Sequence, residues 1–323
     1  THINESHLDY YLVMNIIFAA ASSFSEQTLT ALTKLEHKIV AVLTQPDRRS
    51  GRGLKKTKNP IKCLAQTLGL PVLEYESLNS PEAYRAIKEL MPDLLLTMAY
   101  GTHVPKEILT IPRIDSINIH PSLLPLWRGA SPIQSAILNG DRQTGVSLIR
   151  MVNELDAGPI FLSHKTQIAS HETSEILSQR LAKLSAKLIK QHLNDILNKK
   201  ISPIEQAHKN AVYTPKIKKT DAVIAWSISA VKLLRQIRAF NPWPVSYSFL
   251  QGKYFRIWDA ELNNHNNLKQ PPGKIIEVRD KGILVSTGEK MLALTEVQLE
   301  GRKRTTAAEF SRGFDCQGIT LGC

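Results

Sequence analysis

From Met14 to about Asn198, short apolar runs alternate with stretches whose apolar residues recur at helical spacing. Residues 16–20, 39–44, 94–98 and 116–119 are nearly continuously apolar. Strands covered by helices on both faces have this character. Between them, 24–35, 61–68 and 81–91 read as helices and 72–73 as a short strand. Each helix returns the chain to the same end of the sheet, so the expected class is α/β: a doubly wound, mostly parallel sheet. Ligand-binding residues in such sheets gather at the carboxyl ends of the strands.

Two further elements follow Asp156. An extended stretch at 160–168 leads into an amphipathic helix striped by Ile176, Leu177, Leu181, Leu184, Leu188, Ile189, Leu193 and Ile196. Lys183, Lys187 and Lys190 fall largely off that stripe and read as a solvated face. Residues 199–219 are polar, basic and interrupted by Pro203 and Pro215, as in a linker. A helix is expected at 230–238, then short strands at 245–250, 254–258, 274–278, 283–286 and 291–297. Gln251-Gly252 and Thr287-Gly288 look like hairpin turns. This pattern predicts a second, smaller β-barrel of the oligonucleotide-binding type. The expected organisation is a leader at 1–13 outside the fold, a catalytic domain at 14–198, a basic linker at 199–219 and a barrel domain at 220–323.

Net charge is +12, and residues 200–323 carry 19 Lys/Arg against 11 Asp/Glu. A basic second half points to a polyanionic partner. Residues 48–62 hold seven basic side chains and no acidic one, and Gly51 and Gly53 suggest a flexible loop. A loop of that kind can clamp a phosphate backbone. Several signatures fail. Gly51-Arg-Gly53 lacks the third glycine of a dinucleotide fingerprint, and His171-Glu172 has no second His at zinc spacing. No metal is expected. The three cysteines form no metal or redox motif, which suits a reducing compartment. The longest apolar stretch, 12–21, is too short to span a bilayer and follows acidic rather than basic residues. A cytoplasmic monomer that does not engage a membrane is expected.

Asn118 and His120 end the 116–119 strand, and Asp156 sits in Leu155-Asp156-Ala-Gly158. Together they could serve acyl transfer to an amine. An amide can hydrogen-bond a developing oxyanion. An imidazole can move a proton near neutral pH. A carboxylate can orient the ring and stabilise its charged form. Residue types and placement alone suit a structural role for each equally well.

Asn118-Ile-His120-Pro-Ser-Leu-Leu-Pro125, Trp127-Arg128-Gly129-Ala-Ser-Pro-Ile and Leu155-Asp156-Ala-Gly158 closely resemble the signature of the folate-dependent formyltransferases. Further segments resemble the members that act on charged tRNA: Thr44-Gln-Pro-Asp47 with Gly51-Arg-Gly53, Ala99-Tyr-Gly101, Arg238-Ala-Phe-Asn-Pro-Trp-Pro244 and Gly301-Arg-Lys303. The match runs from about Met14 to about Gly301. The resemblance implies a Rossmann-like catalytic domain with Asn118, His120 and Asp156 as the catalytic trio. It implies that Ser122, Leu123, Leu124 and Pro125 line the site of 10-formyltetrahydrofolate. The implied acceptor is the α-amine of methionyl initiator tRNA, formylated for translation initiation. Arg48, Arg49, Arg52, Lys55, Lys56, Lys216 and Lys218 would then hold the tRNA.

The chain departs from the family pattern at Ala20-Ala21-Ser22, where a Gly-Thr-Pro turn is usual, and at its tail, 316–323. An alternative keeps the chemistry and changes the acceptor to a small amine, glycinamide ribonucleotide or an amino-sugar nucleotide. The basic second domain, which a small acceptor does not require, weighs against it. An RNA-binding protein on a decayed enzyme scaffold is a further reading, opposed by the intact trio.

Overall fold

The structure is a computed structural model that describes residues 12–50, 55–263, 270–279 and 282–322. Most of the expected leader, the segment around Arg52 and the final Cys323 lie outside the described residues. The chain divides into two compact units, each made of several stretches of sequence.

The first unit is built on a seven-stranded sheet. Its order is Ile160–Gln167, Gln143–Arg150, Asp115–His120, Leu94–Thr97, Asn15–Ala19, Lys38–Thr44, Val72–Glu74. Pairing is parallel from Val72–Glu74 through Asp115–His120. The Gln143–Arg150 strand, which lacks a distinct sequence signal, runs antiparallel to Asp115–His120. The central strands bury alternate residues on both faces, as Ile16, Ile17, Phe18 and Ala19 do. One face packs on the Pro81–Glu89 and Lys106–Leu109 helices through Ile17, Leu43, Leu95, Ala83, Ile87 and Ile108.

Sequence order reverses between Asn15–Ala19 and Leu94–Thr97, which opens a crevice at their carboxyl ends. There the Ala20-Ala21-Ser22 departure is absorbed locally. The Ser22 hydroxyl accepts from the Phe24 N–H and starts a short helical turn. The Ser25 hydroxyl donates to the Met98 carbonyl, tying that turn to the neighbouring strand end.

The long helix is Ser174–Leu197. Leu177, Leu181, Leu188, Ile189, Leu193 and Ile196 are buried and Lys183, Lys187 and Lys190 are exposed. Ile176 corrects the expected stripe: it is 44% exposed, because the apolar face begins only at Leu177.

The 48–62 segment differs from the flexible loop read from its glycines. Arg48–Ser50 and Lys55–Thr57 pair as an antiparallel hairpin with Arg49 opposite Lys56. Its base is closed by Asp47, whose carboxylate accepts from the Asn59 N–H, and by the Asn59 amide, which donates to the Gln45 carbonyl. Asn59 also caps the Pro60–Thr67 helix.

The second unit takes in 129–144 and 166–178 as well as 214–323. The first two stretches belong in sequence to the expected catalytic domain. They associate with the second unit because the Pro132–Asn139 helix lies on the Ala230–Ala239 helix, where Arg235 donates to the Asn139 carbonyl. The Ser174 hydroxyl likewise donates to the Asn241 carbonyl.

The main body of this unit is a curled antiparallel sheet of order Tyr247–Leu250, Lys253–Asn263, Met291–Leu299, Gly282–Ser286, Ile275–Arg279. Gln251 and Gly252 both take left-handed φ, as a tight hairpin turn needs. The core of Leu233, Ile237, Phe255, Ile283, Leu292, Leu294, Val297 and Phe310 is apolar throughout. The tail has a structural role: Thr320 bridges Lys274 and Gly322 bridges Phe249, so the segment joins the two edge strands. Cys316 and Leu321 go into the core beneath it.

Candidate active site

Asn118 and His120 are two residues apart on Asp115–His120, so both side chains leave the same face of the strand. Asp156 comes from the turn that follows Gln143–Arg150. The structure brings the three together. The Asn118 Nδ2 donates to Asp156 Oδ1 at 3.1 Å. His120 Nδ1 stands 3.5 Å from Asp156 Oδ2, an ion-pair separation longer than a hydrogen bond. Such catalytic contacts commonly tighten only with substrate bound. The other ring nitrogen, Nε2, is 2.9 Å from the Trp127 carbonyl oxygen. A carbonyl only accepts, so Nε2 carries a proton there.

Both partners are withdrawn from water, with side chains 5% exposed at His120 and 8% at Asp156. A buried carboxylate is tolerated only when it is paired and hydrogen-bonded. Thr97, directly opposite Asn118 in the sheet, donates its hydroxyl to Asn118 Oδ1 at 2.9 Å. The amide is thereby held with its nitrogen towards Asp156. Sequence reasoning missed Thr97, because a threonine ending an apolar run carries no signal until the register places it beside Asn118.

Two turns carry the groups that face His120, and both are left-handed at non-glycine residues: φ is 62° at Trp127 and 51° at Asp156. Such conformations cost about 1–3 kcal/mol each and persist only where surroundings impose them. Gly158 shows how tightly the second turn is folded. A Cβ there would stand 1.9 Å from the Arg150 carbonyl oxygen, so only glycine fits.

The 122–125 loop is held from within. The Ser122 side chain is buried and donates to the Leu126 carbonyl at 2.5 Å. The Ser147 hydroxyl bonds the Ser122 carbonyl at 2.8 Å and accepts from the Leu124 N–H at 3.2 Å. Ser122 and Leu124 therefore shape the loop, while Leu123 and Pro125 are half-buried and Leu126 is exposed. Just beyond the end of the Leu94–Thr97 strand, Tyr100 is buried, and desolvation pushes its phenol above the usual value and keeps it neutral.

The basic residues fare differently. Arg48, Arg49, Lys55 and Lys56 lie on the two hairpin strands, and Arg52 falls outside the described residues. Lys62 is engaged by Glu74 at 2.9 Å and Asp47 at 3.7 Å, and the Glu74 hydrogen bond raises its pKa. Lys216 and Lys218, in the second unit, are exposed. Among the described residues no group of three or more His, Cys, Asp or Glu could hold a metal ion, and no helix is long and apolar enough to cross a membrane.

Residues 206–213, within the expected 199–219 linker, reach the turns of this site. Arg128 is 1% exposed, its guanidinium held by Gln206 and by the Tyr213 hydroxyl. Gln206 in turn donates to the carbonyls of Asp156 and Gly158. Neither residue was singled out from sequence for such a role, since glutamine in a polar stretch looks solvated.

Residues 13–193 match the formyl transferase family, and 216–315 match the formyl transferase C-terminal domain. A methionyl-tRNA formyltransferase of Hydrogenovibrio crunogenus is 40% identical over 309 residues, covering 96% of this chain and 99% of its own. That of Methylococcus capsulatus is 41% identical over 309 residues, covering 96% and 100%. Solved structures share the fold at lower identity. The methionyl-tRNA formyltransferase from Clostridium thermocellum aligns with a TM-score of 0.55 at 19% identity, over 78% of this chain and 95% of that one. The sugar 3N-formyl transferase WlaRD, solved with dTDP and 5-N-formyl-THF, aligns with a TM-score of 0.65 at 18% identity, over 90% and 100%. The chain belongs to the formyl transferase family, among the methionyl-tRNA formyltransferases.

Proposed function

We propose that this protein transfers the formyl group of 10-formyltetrahydrofolate to the α-amine of methionyl initiator tRNA. The observation that carries the chemistry is the Asn118–His120–Asp156 cluster, with Asn118 and His120 at the carboxyl end of their strand. The acceptor rests on near full-length likeness to methionyl-tRNA formyltransferases.

The amine nitrogen attacks the formyl carbon and the carbonyl oxygen takes up negative charge. An amide carries two N–H groups, and the bond to Asp156 takes only one from Asn118. Asn118 donates its other N–H to the oxyanion, and His120 joins it once its Nε2–H turns from the Trp127 carbonyl to the substrate, each such donor contributing about 10²–10³ in rate. Collapse breaks the bond from the formyl carbon to the folate nitrogen. The amine's proton passes through the His120–Asp156 pair to that nitrogen, so the folate leaves neutral. Holding the two reactants within a shared, partly dry cluster also lowers the entropic barrier.

The chain's residues suit a flat, largely apolar donor. Leu123, Pro125 and the exposed Leu126, which follow His120 closely in sequence, offer apolar surface, while Ser122 supports the loop from inside. The Arg48–Ser50 and Lys55–Thr57 hairpin, together with Arg52, Lys216 and Lys218, contacts tRNA phosphates. The protein works as a monomer in the cytoplasm.

A small-amine acceptor has one observation in its favour, the TM-score to a sugar formyltransferase. Identity of 18% there supports the fold alone. The deciding experiment supplies 10-formyltetrahydrofolate with methionyl initiator tRNA, methionyl elongator tRNA or a dTDP-amino sugar. Formylation of the initiator species is expected. Transfer to the sugar with none to charged tRNA would reverse the assignment.

A further inference from the structure

His120 is gripped at both ring nitrogens by groups on left-handed turns, the Trp127 carbonyl and the Asp156 carboxylate. Non-glycine residues leave that conformation unless something holds them. One buried unit holds both turns. Arg128 follows Trp127 directly, and its N–H donates to the Val212 carbonyl at 2.8 Å. Its Nε and Nη2 donate to a single oxygen, Gln206 Oε1, at 3.1 and 2.8 Å. Nη1 donates to the Tyr213 hydroxyl at 2.9 Å, and Nη2 is 3.2 Å from His208 Nδ1. Glu154 supplies the countercharge, 3.6 Å from Nη1, and accepts from the Tyr213 hydroxyl at 2.9 Å.

The far end of Gln206 completes the link. Its Nε2 donates to the carbonyls of Asp156 at 2.8 Å and Gly158 at 2.7 Å. The orientation of this amide is dictated by chemistry. A guanidinium can only donate and a carbonyl can only accept, so oxygen must face Arg128 and nitrogen must face the Asp156 turn. Two N–H groups meet two carbonyls, and every strong hydrogen-bonding capacity of a buried side chain is used.

We infer that Gln206 and Arg128 are a positioning pair that sets the distance between the two acceptors facing His120 and thereby its catalytic alignment. The pair touches no reacting atom. It acts through Asp156 and Trp127, and residues 206–213 serve as a strap across the catalytic turns. The inference deepens the proposed formyl transfer and rests on that reading of the site.

The test is Gln206→Glu in the full chain. A carboxylate keeps both contacts to Arg128 but has no N–H for Asp156 and Gly158. If Gln206 only supplied an acceptor to a buried arginine, this variant would match the unaltered protein. Formylation of methionyl initiator tRNA is expected to show kcat reduced by about 10²-fold, the scale of an ångström-sized misplacement. KM for both substrates should stay within about twofold and the melting temperature within about 3 °C. An unchanged kcat, or a loss confined to KM, overturns the inference.

Should the variant fail to fold, Tyr213→Phe removes one Arg128 contact more gently. It should lower kcat about threefold at constant KM, and an unaltered kcat counts against the pair. If the unaltered protein makes no formylmethionyl-tRNA, the acceptor assignment has failed instead. The strap is then read from amide exchange of the 155–158 turn in Gln206→Glu. A rise of about tenfold supports it, and unchanged exchange overturns it.

Discussion

The turns around His120 and the curled sheet of the second unit are held by opposite means. The turns have left-handed residues at Trp127 and Asp156, a nearly dry His120–Asp156 pair and a buried arginine. Polar contacts of defined direction hold them, from Thr97, Ser147, Gln206 and Tyr213. The sheet surrounds Phe255, Leu294, Val297 and Phe310 with apolar side chains, and its tail joins its two edges. Hydrophobic burial is non-directional and stabilises whatever is covered. Hydrogen bonds between buried groups contribute little net stability, yet they fix atoms in place. Substitutions near His120 should therefore act on rate, and substitutions in the sheet core on stability.

The sharpest way to break that contrast is His120→Ala. Formyl transfer should fall by about 10²–10⁴-fold, while thermal melting of the same preparation changes little. Loss of the fold together with activity would show that the cluster is structural after all. Phe255→Ala is the counterpart in the sheet. Truncating this fully buried ring should cost about 3–5 kcal/mol, read by chemical denaturation, with kcat of the folded fraction preserved.

Gly158→Ala joins the two kinds of effect, since its methyl cannot fit against the Arg150 carbonyl. A stability loss of about 1–3 kcal/mol is expected, with a drop in kcat of up to about 10²-fold as the Asp156 turn shifts. Tolerance of alanine would show the turn to be looser than its packing implies. The smallest effect belongs to Lys216→Ala with Lys218→Ala. Chemistry and melting should be unaffected, while the slope of log affinity for tRNA against log salt should shrink by roughly 0.7–0.9 per lost phosphate contact. An unchanged slope would remove these lysines from the tRNA contact surface.

Much of this arrangement was legible in the sequence. Apolar runs and helical spacing located the parallel strands, because burial on both faces leaves a plain compositional trace. Asn118 and His120 were readable as a strand end, and the formyltransferase likeness joined Asp156 to them. The Gln143–Arg150 strand was not seen, since Gly145, Ser147 and Thr144 dilute its pattern. The 48–62 stretch read as a loop because glycine and charge mask a hairpin whose pairing depends on backbone contacts alone.

Local chemistry in the sequence determined the class of fold, the strand-end placement of Asn118 and His120 and the basic character of the second half of the chain. Each depends on residue type and short-range spacing. Tertiary structure alone decided which residues support the trio. Thr97 meets Asn118 through sheet register, and Arg128 meets Gln206 across 78 positions of sequence. It also decided that the tail joins the edges of the second sheet. These roles depend on where distant chain segments meet, and no periodicity records that meeting: a buried polar side chain is defined by its partner rather than by its neighbours in sequence.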